Sequence, residues 1–114
     1  MADYRIPKDA DFPIEETLTG ENLTGATVTW MLLPLTARLG GDLDSLVAQA
    51  LIAKDNALLG GVALTTPASG LFTVSLAPVD THELQPGAYR VLLRYQTDTP
   101  EYIGVDTYEV TVTA

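Results

Sequence analysis

Gly25-Ala26-Thr27-Val28-Thr29-Trp30-Met31-Leu32 is the stretch on which the fold turns. In an extended chain, Val28, Trp30 and Leu32 fall on one side and Thr27, Thr29 and Met31 on the other. Alternation with period 2, in residues rich in β-branched and aromatic types, marks a strand packed against a core on one face. Val28, Trp30 and Leu32 are therefore expected to be core.

The same rhythm spreads outward from that segment. Phe72, Val74 and Leu76 alternate with Thr73 and Ser75 after a turn at Ala68-Ser69-Gly70. Tyr89, Val91, Leu93 and Tyr95 alternate with Arg90, Leu92 and Arg94, and Tyr108, Val110 and Val112 with Thr107, Glu109, Thr111 and Thr113. Weaker strands are predicted at Phe12 to Leu18 and Val62 to Thr66, and an edge segment at Asp3 to Ile6 that ends at Pro7, because proline cannot donate to a ladder. Strands punctuated by Gly and Pro about every ten residues are the pattern of a sandwich or barrel.

Two stretches depart from period 2. Pro78 to Leu84 reads as a short helical turn, with Asp80 as a cap for the residues after it and Pro86 as its stop. Between Leu35 and Leu59, Asp42 is placed to cap a helix whose Leu43, Leu46, Val47, Ala50 and Leu51 recur at helical spacing. The same residues also suit a strand joining the two sheets. Residues 42–54 are thus open between helix and strand, and a strand over roughly Val47 to Lys54 is adopted because a sandwich needs a partner there. Leu35 to Asp44 is then an extended loop, with Gly40-Gly41 and Gly60-Gly61 marking loops on either side.

The chain has 114 residues, the size of one domain, large enough for a real core without staples. It contains no Cys, which excludes disulfides and thiolate metal sites. Fifteen acidic residues against six basic give a formal charge of −9. A surface of that sign repels phosphate backbones, so nucleic acid is not expected as a partner. No apolar stretch approaches the roughly 18 residues of a membrane helix. Residues Met1 to Asp11 carry no signal-peptide pattern, so synthesis in the cytoplasm without export by the usual route is expected.

The residues that carry chemistry are few. His82 is the single histidine, and it has no second His or Cys to complete a metal or acid–base site. Ser45, Ser69 and Ser75 are the serines, none in a nucleophile-elbow setting. Glu15 and Glu16 are adjacent and point to opposite faces of a strand, so they cannot easily share a substrate. Asp9-x-Asp11 and Asp42-x-Asp44 have the spacing of a calcium loop without its remaining ligands. Gly40-Gly41 and Gly60-Gly61 lack the Lys-Ser/Thr of a phosphate loop. Trp30, Tyr89 and Tyr108 fall on core faces. Tyr4 and Tyr102, near strand edges, are with Arg5 the candidate partner contacts. No catalytic, metal or cofactor-binding residue is assigned, no cofactor is expected, and an enzyme is not expected.

Leu84-x-Pro86-Gly87-x-Tyr89 is the most specific local pattern. A Tyr entering a strand just after a corner is how sandwich folds set a tyrosine hydroxyl against upstream backbone. Trp30, Gly87 and Tyr89 are accordingly read as fold-determining.

Taken in order, Phe12-Pro13-Ile14, Leu23 to Trp30, Pro67 to Val74, Asp80-Thr81 and Leu84 to Tyr89 resemble the small immunoglobulin-like domains of bacteriophage structural proteins. The likeness is to the type found at the N-terminus of baseplate upper proteins. The resemblance implies a single all-β domain over residues 1–114, an immunoglobulin-like antiparallel sandwich of about seven strands, with residues 1–11 as an N-terminal arm or edge strand. It implies a virion protein of the baseplate, tail, neck or capsid, acting through contacts with other phage structural proteins and with copies of itself in a symmetric ring. The arm, on that reading, orders only on a partner, and Pro7, Lys8 and Pro13 limit stray pairing at one edge. The competing class is a carbohydrate-binding or adhesin-type immunoglobulin-like module. It calls for an exposed aromatic pair or a calcium site in the loops.

Overall fold

The computed structural model describes residues 4–18, 22–37, 43–57, 59–98 and 101–113, with backbone alone at 4, 43, 67, 97–98 and 101–106. Gly40-Gly41, Asp42 and Leu58, and the side chains of Tyr4 and Tyr102, lie outside what is described.

Among the described residues eight strands form two sheets: β1 (Tyr4–Pro7), β2 (Phe12–Thr17), β3 (Thr27–Leu33), β4 (Ile52–Asp55), β5 (Val62–Thr66), β6 (Leu71–Leu76), β7 (Gly87–Asp98) and β8 (Glu101–Thr113). The five-stranded sheet runs β1-β8-β7-β3-β4 and the three-stranded sheet β2-β6-β5. The expected all-β architecture holds, and β5 has the predicted bounds. The described strands number eight where about seven were expected, and the N-terminal segment, expected as an arm or edge strand, supplies one of them at a sheet edge. Among the described strands, all pairings are antiparallel except one: β1 runs parallel to β8, with Ile6 opposite Val112. Local alternation carries no information on direction, so that exception was not foreseeable from it.

The core lies between the sheets. Trp30, Val28 and Leu32 from β3 meet Phe72 and Val74 from β6 and Val91 and Leu93 from β7, each about 1 % exposed or less. Burying each such side chain contributes roughly 1.5–3 kcal/mol. The other face of β3 was expected to look outward, and it does not. Thr29, Met31 and Leu33 are also buried, because the outside of this sheet carries a second, smaller cluster of Met31, Leu33, Leu92 and Leu46.

Leu46 comes from α1 (Leu43–Gln49), and here the adopted strand over Val47 to Lys54 is corrected. The helical period prevails from Leu43 to Gln49, and only Ile52–Asp55 pairs with β3. Helix and strand readings competed because the segment holds both elements in succession, joined by a bend whose Leu51 N–H donates to Leu32 C=O at 2.8 Å. A helix of this length is unstable alone. What selects it is the apolar patch on β3 and β7 that needs covering.

The short helix α2 (Pro78–Thr81) forms where a helical turn was predicted. Pro78 sits at the first helical position, where its missing N–H costs nothing. Asp80 does not cap a later segment: its carboxylate reaches back to accept the Ala77 N–H at 2.7 Å.

Of the two alternatives for the N-terminal segment, arm or edge strand, the described residues take the edge strand, with β1 over Tyr4–Pro7. Ile6 is fully buried, the Lys8 N–H donates to Thr113 C=O at 3.0 Å, and the Asp9 N–H donates to Thr81 Oγ1 at 2.9 Å. Asp9 takes a left-handed φ of 61°, a cost of about 1 kcal/mol for a non-glycine residue that these contacts offset.

Candidate interaction surface

Among the described residues, Trp30, Tyr89 and Tyr108 are committed to structure. Trp30 Nε1 donates to the Tyr108 hydroxyl at 3.2 Å, and that hydroxyl donates in turn to Glu16 Oε1. The relay runs from β3 through β8 to β2 and so ties the two sheets together. Glu16 is inward because it shares the parity of Ile14, which is 3 % exposed, whereas Glu15 is exposed. The two carboxylates therefore do diverge, as their adjacency in a strand requires. That Glu16 is the partner of Tyr108 was legible only as an acid on a core face.

Tyr89 is half-buried, and its hydroxyl donates to the Gln85 carbonyl at 2.6 Å, the upstream bond expected of a tyrosine at this corner. Gly87 sits at φ 149°, a region that side chains avoid, with open space where a Cβ would be. The requirement there is conformational rather than steric.

His82 and the acids beside it are likewise placed by structure. His82 Nδ1 lies 2.8 Å from Asp9 Oδ1, with both side chains largely exposed. Lys54 Nζ lies 2.9 Å from Asp80 Oδ2, with both mostly covered. Thus α2 fastens the β1–β2 turn on one side and β4 on the other. Among the described residues, no group of three or more His, Cys, Asp or Glu is arranged to hold a metal ion.

The loop after β4 is organised by two residues that pattern reading passed over. Asp55 Oδ1 accepts the N–H groups of Ala57, Leu59 and Gly60. Asn56 then extends the β3–β4 ladder with its amide: Oδ1 accepts Val28 N–H at 2.8 Å, and Nδ2 donates to Ala26 C=O at 2.9 Å. The Gly60-Gly61 pair closes this loop, as expected, with φ of 73° and 90°.

What remains for contact is the sheet exterior. Among the described residues β2 and β5 are the edges of one sheet and β1 and β4 of the other. Pro13 lies on the β2 edge and Pro7 closes β1, positions where a missing N–H blunts pairing. Along β8, β1 covers only residues 110–113, while β7 runs beside the strand as far as Glu101. The outer face of the five-stranded sheet divides in two. α1 covers the β3 side, and the β7–β8–β1 side presents Arg5, Arg90, Arg94, Thr107 and Glu109. Arg5, a candidate contact, is exposed there.

Set against family models, curated proteins and solved structures, the chain matches none of them. What fold and surface define is a two-sheet β-sandwich with its described aromatic side chains largely inside and a charged sheet face outside.

Proposed function

We propose that this chain is a non-enzymatic structural domain of a bacteriophage particle, immunoglobulin-like in topology, that acts by protein–protein contact. The observation that carries the reading is the order of strands. The order β2-β6-β5 against β8-β7-β3-β4, with a short first strand parallel to the last, supports the reading of a variable-type immunoglobulin sandwich lacking some edge strands. In that frame β3 takes the place of the strand that carries a buried Trp, here Trp30. β7 takes the place of the strand that begins at a tyrosine corner, here Tyr89 bonded to Gln85.

The phage assignment rests on the resemblance, whose residues do sandwich work here. Ile14, Trp30, Phe72 and Leu84 are buried, and Gly70 and Gly87 make the turns. The commitment of Trp30 and Tyr108 to the core and of Tyr89 to its corner supports assembly over sugar binding, since a sugar platform needs exposed rings.

Quantitative mass spectrometry of purified phage particles from the strain that encodes the chain tests this. A fixed small number of copies relative to the major capsid protein is expected. Absence from the particle overturns the virion reading.

A further inference from the structure

The chain carries six basic residues against fifteen acidic ones, yet three of the six project from one face. Ile6, Val91 and Val110 point into the core, so Arg5, Arg90 and Arg94, of opposite parity on β1 and β7, point out of the five-stranded sheet. Arg90 and Arg94 are four residues apart on β7, a span of about 13 Å, and flank Leu92, which is buried in the cluster beneath α1. Arg5 stands opposite Thr111 on β8, and Thr111 opposite Ala88 on β7. Glu109 is the acid among them, 3.7 Å from Arg90, a loose surface pair that neutralises little. Among the described residues no ion pair engages Arg5 or Arg94.

The complement lies on the same chain. Asp9 and Asp11 in the β1–β2 turn and Glu83 after α2 are all exposed, and the contact of His82 with Asp9 draws the turn and the helix end together. Lys8, half-buried, is the cation in that turn. An arginine face on a chain otherwise so acidic is poorly explained by solubility, which any distribution of the same charges would serve. Opposed patches are how interfaces select partner and register.

We propose that the exposed β7–β8–β1 face is a self-association surface, on which Arg5, Arg90 and Arg94 of one copy receive the Asp9–Asp11–Glu83 corner of a second. This rests on the assembly reading above and specifies its contact. A face that meets a different patch on the next copy builds a reciprocal pair, a closed ring or an open filament, according to the rotation between copies.

Sedimentation velocity of the purified chain over a concentration series at physiological salt tests the proposal. A weight-average mass that rises with concentration is expected. R5E/R94E on the face and D11K/E83K on the corner should each lower the association constant about tenfold or more. Mixing the two variants should restore association, since each then meets an opposite charge. Thermal melting of each variant reports its fold. Should one fail to fold, the other decides alone, because the two sets lie on different patches. A wild-type chain that stays monomeric at every soluble concentration, or variants that associate as it does, overturn the proposal. The particle measurement is separate: a chain present in the particle yet monomeric in solution sinks only this inference, and an associating chain absent from the particle sinks only the phage reading.

Discussion

Tyr108 joins the two sheets by hydrogen bonds. Its hydroxyl accepts from Trp30 and donates to Glu16, so its loss strands a buried indole N–H and deprives a half-buried carboxylate of a donor. Unsatisfied buried groups cost more than a hydrogen bond returns, so Tyr108→Phe should destabilise the domain by about 1–3 kcal/mol despite keeping the ring. Urea denaturation measures it: a lower midpoint with an unchanged slope is expected. An unchanged midpoint would mean that water replaces the hydroxyl without cost. Trp30 and Tyr89 were legible as structural residues from alternation and corner spacing. The Glu16 partner was not, because parity places an acid on a face without saying what stands across the gap.

At the scale of elements, α1 shows how tertiary demand decides a local ambiguity. Its seven residues cannot hold a helix by propensity, and Leu46 is the side chain by which it closes over Met31, Leu33 and Leu92. Leu46→Ala should cost about 2–5 kcal/mol, and hydrogen exchange should show α1 amides losing protection before those of β7. Uniform loss across both elements would show instead that helix and sheet open as one unit. The strand expected over Val47 to Lys54, on the ground that a sandwich needs a partner there, holds only from Ile52 onward. The outer face of β3 had apolar residues of its own, Met31 and Leu33, and a helix covers them where a longer strand would leave them wet.

For the whole molecule, the N-terminal segment and the charge distribution set what the surface can do. With Ile6 buried and β1 paired to β8, cleavage at Arg5 should require the strand to leave the sheet. Trypsin acting on dilute monomer should therefore cut the Arg5–Ile6 bond slowly, at the pace of opening that frees the strand. Rapid removal of the N-terminus from an otherwise intact domain would show that β1 docks only loosely. The same edge location brings Arg5 beside β8, and so to the face that Arg90 and Arg94 share.

Composition and alternation by themselves determined that the chain is all-β, where most of its strands lie, and that Val28, Trp30, Leu32, Phe72 and Val91 make the core. These are local consequences of period 2, which the chain carries wherever a strand has one wet face. Only the tertiary structure decided the rest: the parallel docking of β1, the helix over the second cluster, the relay from Trp30 to Glu16, and the gathering of Arg5 with Arg90 and Arg94. Each of these joins residues far apart in the chain. Arg5 lies 85 positions from Arg90 in sequence and is separated from β7 by a single strand in the sheet, a relation set by strand order and carried by no local pattern.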